Sequence, residues 1–88
     1  MGAFEFGGGL LALAYPREQT PSEQKIRALV SMHGFAVVDW SYELSGDGRK
    51  FEYHLVLQTL HTGNLIVLAQ ELARSPDLVG FRLSPSRN

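Results

Sequence analysis

The sequence contains no cysteine, which excludes disulfide bridges, thiolate zinc sites and cysteine nucleophiles. Positive charge is also scarce, since the net charge is −1 and the longest basic run is the pair Arg49 and Lys50. A nucleic-acid-binding domain usually presents a basic face, because the neutralisation of phosphates supplies much of its affinity. We therefore expect no nucleic-acid partner.

Long hydrophobic segments are missing as well. The longest apolar stretches, Leu10–Tyr15 and Leu65–Ala69, are much shorter than the ~20 residues that span a bilayer. No basic region precedes the first apolar stretch, so we expect no signal peptide. The 88 residues, of which 44% are hydrophobic and 19% are charged, have the size and composition of one globular domain.

A helix is predicted after Thr20-Pro21-Ser22-Glu23, in which Thr20 would act as the N-cap and Glu23 would bond back to it. Apolar side chains then recur at three- and four-residue spacing, at Ile26, Leu29, Val30 and His33. Gly34 is expected to end this helix, because glycine readily adopts the left-handed conformation of a C-terminal cap.

From Phe35 the hydrophobic period changes to two, which predicts β-strands. In the first of these strands the residues expected on one apolar face are Ala36, Val38, Trp40, Tyr42 and Leu44. The glycines of the segment 45–48 predict a turn. In the following strand, the residues expected on the inner face are Phe51, Tyr53, Leu55 and Leu57.

The remaining elements are a first strand at Leu10–Tyr15, a second helix after Asn64 and a last strand at Leu78–Ser84. The inner residues expected in that last strand are Val79, Phe81 and Leu83. The order βαββαβ predicts an α+β, ferredoxin-like (ACT-like) two-layer sandwich, with an antiparallel four-stranded sheet and two helices on one face. We expect a flexible segment or cloning remnant at 1–9, one domain at 10–84 and a loose tail at 85–88.

Two stretches, "GFAVVDWSYELSGDGRKFEYHLVLQT" and "LAQELARSPDLVGFRLSPSRN", carry a family resemblance. The chain resembles the C-terminal, ACT-like domain of the MgtC/SapB family of bacterial membrane proteins. The segment Pro76-Asp77-Leu78 and the strand Phe81-Arg82-Leu83-Ser84-Pro85 match the helix–turn–strand close of that domain. The resemblance implies a cytoplasmic regulatory domain that follows a membrane region, in a parent protein concerned with magnesium limitation.

Two binding hypotheses follow. In the first, the sheet face without helices contacts a second copy or another protein, through the residues Leu10, Ala12, His54 and Val56. In the second, the chain is an ACT-type small-molecule sensor, whose ligand would contact Tyr15, Arg17 and Gln19. The segment 17–21 departs from the Asp-x-Pro-Gly turn of amino-acid-sensing ACT domains, so the first hypothesis is preferred.

Catalytic and metal-binding patterns are not evident. The histidines His33, His54 and His61 form no H-x-H or H-E-x-x-H motif and have no carboxylate at ligand spacing, so we predict no metal and no cofactor. No G-x-S-x-G motif is present, and the loop at Arg17 lacks the glycines of an anion-binding acylphosphatase loop. We expect a non-enzymatic domain. Phe51 and Tyr53 are predicted to face the helices rather than to stack on RNA bases.

Overall fold

The structure is a computed structural model that describes residues 7–86. Its elements are β1 (Gly7–Pro16), a 3₁₀ turn (Arg17–Gln19), α1 (Glu23–Met32), β2 (Phe35–Leu44), β3 (Lys50–Thr59), α2 (Asn64–Ala73) and β4 (Gly80–Ser86). The four strands form one sheet in the order β2-β3-β1-β4, and every neighbouring pair is antiparallel. The predicted ferredoxin-like sandwich is confirmed, including the central position of the first and third strands.

Both helices cover the same face of this sheet. Their buried residues join those of the central strands in one core, whose fully enclosed members are Leu11, Leu13, Val30, Leu55, Leu57, Leu68 and Leu72. Leu29 of α1 packs against the same core. Because side chains alternate along β1 and β3, the opposite sheet face is one that neither described helix covers.

The first and last strands of the chain, β1 and β4, extend beyond the predicted domain limits. Gly7, Gly8 and Gly9 belong to β1, where they pair with Thr59, Gln58 and Leu57 of β3. β4 begins two residues later than predicted and continues through Pro85 and Ser86, which pair with β1. Residues 1–6 and 87–88, which complete the predicted flexible segment and tail, lie outside the described residues.

The predicted inner face of β2 is wrong in its first half. Its register on β3 shifts between Val37 and Asp39, as in a β-bulge. Before the shift Phe35 and Val37 contribute to the core, whereas Ala36 and Val38 are exposed. The extra residue reverses the alternation, so Trp40, Tyr42 and Leu44 lie on the helix side as predicted, opposite Leu55, Tyr53 and Phe51.

The N-cap of α1 also differs from the prediction. Ser22, not Thr20, caps the helix, since its hydroxyl accepts a hydrogen bond from the Lys25 N–H. The Thr20 hydroxyl instead donates to the carbonyls of Pro16 and Arg17 and so closes the 3₁₀ turn. The other end of the helix is as predicted, with Gly34 in a left-handed conformation at φ +86°.

Candidate interaction surface

The sheet face that carries no helix is here called the open face. It contains the four residues predicted to make protein contacts, and the register brings them together at the centre of the sheet. Leu10 of β1 lies directly opposite Val56 of β3, and Ala12 lies directly opposite His54. The Leu10 side chain is 51% exposed, whereas its neighbour Leu11 on the covered face is 2% exposed. The open face therefore has an apolar centre that nothing in residues 7–86 covers.

A shallow cleft of about 320 Å³ crosses this face. Its floor is the apolar centre, and its walls come from both edge strands. β2 contributes Asp39 and Ser41, and β4 contributes Arg82 and Ser84. All four strands thus take part in one continuous surface with polar borders. This composition, an apolar centre with a polar rim, is typical of protein contact surfaces.

Three ionisable groups meet at the β2–β3 side of the open face. The Nε2 atom of His54 lies 3.1 Å from a carboxylate oxygen of Glu52 and 3.4 Å from one of Glu43. Neither contact has hydrogen-bond geometry, although Nε2 itself is enclosed. Glu43 and Glu52 are directly opposite each other across the hairpin, an arrangement in which like charges repel. The His54 imidazole lies beside both of these carboxylates.

Sequence reasoning missed this cluster, because no carboxylate was expected beside a histidine. One signal was available, since Glu52 and His54 are two residues apart and so share a strand face. The ligand atoms of Glu43, Glu52 and His54 lie within 4.8 Å of one another, close enough to contact one cation. Exposed carboxylate clusters are common without an ion, and we assign no metal to this one.

The three residues predicted to bind a small molecule do not form one pocket. Tyr15 is buried in the core, with 4% of its surface exposed. Arg17 is exposed and lines a different depression, together with Gly48 and Arg49 of the β2–β3 turn. Gln19 borders both regions. The arrangement therefore separates the predicted carboxylate-binding Arg17 from the aromatic Tyr15.

Tyr15 and Gln19 instead line a groove of about 460 Å³ between α1 and the loop before β4. Apolar atoms of Leu29 and Met32 form one side of it, and the charged residues at its border are Lys25 and Asp77. Burial raises the pKa of Tyr15, and the nearby Tyr53 phenol and Asp77 carboxylate raise it further. The phenol therefore stays protonated near neutral pH and can donate a hydrogen bond.

The covered face contains an aromatic cluster that fixes α1 to the hairpin. The rings of Trp40 and Tyr53 are 5.0 Å apart, and those of Phe51 and Tyr53 are 5.5 Å apart, in edge-on contacts. The Tyr53 hydroxyl donates to the carbonyl of Pro21 at 2.7 Å. The prediction that Phe51 and Tyr53 face the helices is confirmed, so these aromatics are not available as a base-stacking platform.

Fold and surface together define the class of this protein as a small ferredoxin-like α+β domain, in which both described helices lie on one face of the sheet. The chain is similar to the C-terminal domain of the MgtC protein from Mycobacterium tuberculosis, whose structure was determined in solution. The TM-score is 0.65, with 12% sequence identity over 98% of this chain and 92% of that chain. The predicted resemblance to the MgtC C-terminal domain is thus confirmed at the level of the fold.

Comparisons of sequence gave no such match, since neither a protein-family model nor a curated protein matches the chain. Within residues 7–86, neither helix has the length and apolarity that a membrane crossing requires.

Proposed function

We propose that the chain is a non-catalytic interaction domain of an MgtC-like membrane protein, and that it acts by binding a protein partner through the open face. The observation that carries this proposal is the apolar centre of that face, where exposed Leu10 lies beside Val56 and Ala12. A monomeric fold has no need of aliphatic side chains there, because antiparallel sheets tolerate a polar, solvated face.

The agreement of fold with the MgtC C-terminal domain over nearly the whole of both chains supports the placement in an MgtC-like protein. A regulatory role on the cytoplasmic side of the membrane, in a bacterial response to magnesium limitation, is part of the proposal and rests on the family resemblance. A binding event at the sheet would bias the membrane portion if the partner engages one of its conformations more tightly than another.

Site-specific photo-crosslinking in bacterial cells that produce the chain tests the proposal. A benzophenone amino acid at position 10 is expected to give an adduct with a protein, because the side chain at this position lies at the centre of the open face. The matched control is position 66 on α2, since Ile66 is also an exposed aliphatic residue, at 61%. Adducts from position 66 but none from position 10 would contradict the proposal.

A second candidate function, small-molecule sensing, is supported by the groove between α1 and the loop before β4. Lys25 and Asp77 place opposite charges on the border of a largely apolar cavity, which suits a zwitterion such as an amino acid. A ligand at 100 times its dissociation constant adds roughly 2.7 kcal/mol to stability, an effect that thermal-shift measurements detect readily.

A thermal-shift screen with the common amino acids therefore tests sensing. A rise in melting temperature with an amino acid, lost in Lys25→Ala, would support the sensing function. Lys50→Ala is the control, because Lys50 lies outside the groove, and it should keep the rise. An unchanged melting temperature with every amino acid would exclude amino acids as the ligand.

A further inference from the structure

The charges of the open face are divided between its two sides. Asp39, Glu43 and Glu52 lie on the β2–β3 side, whereas Arg82 projects from β4 on the other side. Within residues 7–86, the Arg82 guanidinium has no hydrogen-bond or ion-pair partner. The remaining charge on this face, Lys50, lies at its end, opposite Pro16. The surface therefore carries both an acidic patch and an unpaired cation.

The sheet register fixes where these charges lie relative to each other. Arg82, Ala12, His54 and Ser41 are consecutive neighbours across the four strands and form one row. The acidic residues Asp39 and Glu43 lie along β2 on either side of Ser41. Arg82 is thus level with the midpoint between the two acidic residues, at the opposite edge of the sheet.

A symmetric face-to-face pair requires a two-fold axis in the plane between the two sheets. With an axis perpendicular to the strands, each strand would lie over its own copy, and Arg82 would meet Arg82 while acidic residues met acidic residues. With an axis parallel to the strands, β4 lies over β2 of the other copy and β1 lies over β3. In that orientation alone, the cation of each copy faces the acidic residues of the other.

Side-chain size also matches in the parallel orientation. The small outward residues of β1, Ala12 and Ala14, lie opposite His54 and Glu52 in the register of each copy. When β1 of one copy covers β3 of the other, these small residues leave space for the larger ones. Two packed sheets cross at ~30°, which moves Arg82 from above Ser41 toward one of its two acidic neighbours.

We propose that the protein partner of the open face is a second copy of this chain, related by a two-fold axis parallel to the strands. In this pair Arg82 of each copy lies over Ser41 of the other and contacts one of the two acidic residues beside it, Asp39 or Glu43. The inference rests on the proposed function, and it names the partner and the residues that select it. All four strands run side by side over seven residues, from Gly8 to Ala14 of β1. With residues about 3.4 Å apart along each strand and the four strands about 4.8 Å apart, the footprint is roughly 450 Å² per copy. Because this is below the standard interface size, we expect a weak dimer, with dissociation at about 10 µM to 1 mM.

Sedimentation equilibrium of the purified chain tests the arrangement with two complementary charge-reversal variants, Arg82→Glu and the double variant Asp39→Lys/Glu43→Lys. Each variant alone is expected to self-associate roughly tenfold more weakly than the wild type, because both symmetric clusters change from attraction to repulsion. An equimolar mixture is expected to recover wild-type affinity, since a mixed pair restores opposite charges at both clusters. Arg74→Glu, at the C-terminus of α2, is the control and leaves association unchanged.

Three results would overturn the inference. One is a wild-type chain that stays monomeric up to about 1 mM, and a second is a dimer that ignores all the charge reversals. The third is a mixture that associates no better than its separate components while circular dichroism shows both folded. Any of these would leave the proposed function standing if position 10 crosslinks to a different protein, so the two failures are distinguishable.

Discussion

The two faces of β1 both carry aliphatic side chains, but their surroundings differ. Leu10 and Leu11 are adjacent leucines in β1, yet one is 51% exposed and the other 2% exposed. The covered face receives α1 and α2, whereas no part of the described chain, residues 7–86, covers the aliphatic centre of the open face. Apolar side chains alone therefore do not identify the core of this domain.

The largest expected effect compares these two leucines directly. Leu11→Ala removes a fully packed side chain and should lower the free energy of unfolding by about 2–5 kcal/mol. Leu10→Ala, at the adjacent position, should cost less than about 1 kcal/mol, because most of this side chain is already in contact with water. Urea unfolding at low protein concentration measures both. Equal losses would show that the open face is as tightly packed as the covered one.

A smaller effect is expected at Gly34, which ends α1 before β2. Its φ of +86° is unfavourable for any side chain, and an added Cβ would lie 2.5 Å from the Asn64 amide nitrogen. Gly34→Ala should therefore destabilise the domain by about 1–2 kcal/mol. Gly46→Ala is the matched control, because an added Cβ there has no atom within 4 Å. A neutral result at both positions would refute the steric explanation.

The smallest effect concerns the hydrogen bond that joins α1 to β2 on the covered side. The Tyr42 hydroxyl donates to Glu23, and this bond, with a further bond from Arg27, holds the pKa of Glu23 below its ordinary value of 4.5. A carboxylate with a lowered pKa contributes stability that is present above 4.5 and is lost as the pH falls through the folded-state value.

Tyr42→Phe should therefore raise the pKa of Glu23 and destabilise the protein slightly at pH 7. The difference from wild type should disappear in strong acid, where Glu23 is protonated in both states. A carbon-detected NMR titration follows the carboxyl group directly, and unfolding at the two pH values follows stability. A pKa that stays the same in Tyr42→Phe would show that Arg27 alone lowers it.

Sequence periodicity predicted the fold because each long element has one dominant period. It failed in β2, where residues 35–38 are all apolar and give no indication of which side each occupies, so the bulge after Val37 could not be located. It also chose Thr20 over Ser22 as the cap, since both are good N-cap residues and only the position of the 3₁₀ turn distinguishes them.

The candidate site was predictable where it follows strand alternation and unpredictable where it depends on pairing register. Leu10 and Ala12 share a face by alternation alone, and their contact with Val56 and His54 follows from the predicted strand order. The meeting of Glu43 with His54 depends on the register across the β2–β3 hairpin, and so does the alignment of Arg82 with Ser41. Tyr15 and Arg17 line different depressions because β1 ends at Pro16 and the 3₁₀ turn begins at Arg17. The strand alternation that would put both side chains on one face therefore stops between them.

The most direct measurement is a dilution series of the methyl-labelled chain followed by NMR, from about 1 mM to about 10 µM, the range expected for a weak interface. We expect the methyl signals of Leu10, Ala12 and Val56 to shift together with concentration, while those of Ile66 on α2 and Leu68 in the core stay constant. Constant signals on the open face throughout the series, or shifts confined to α2, would contradict it.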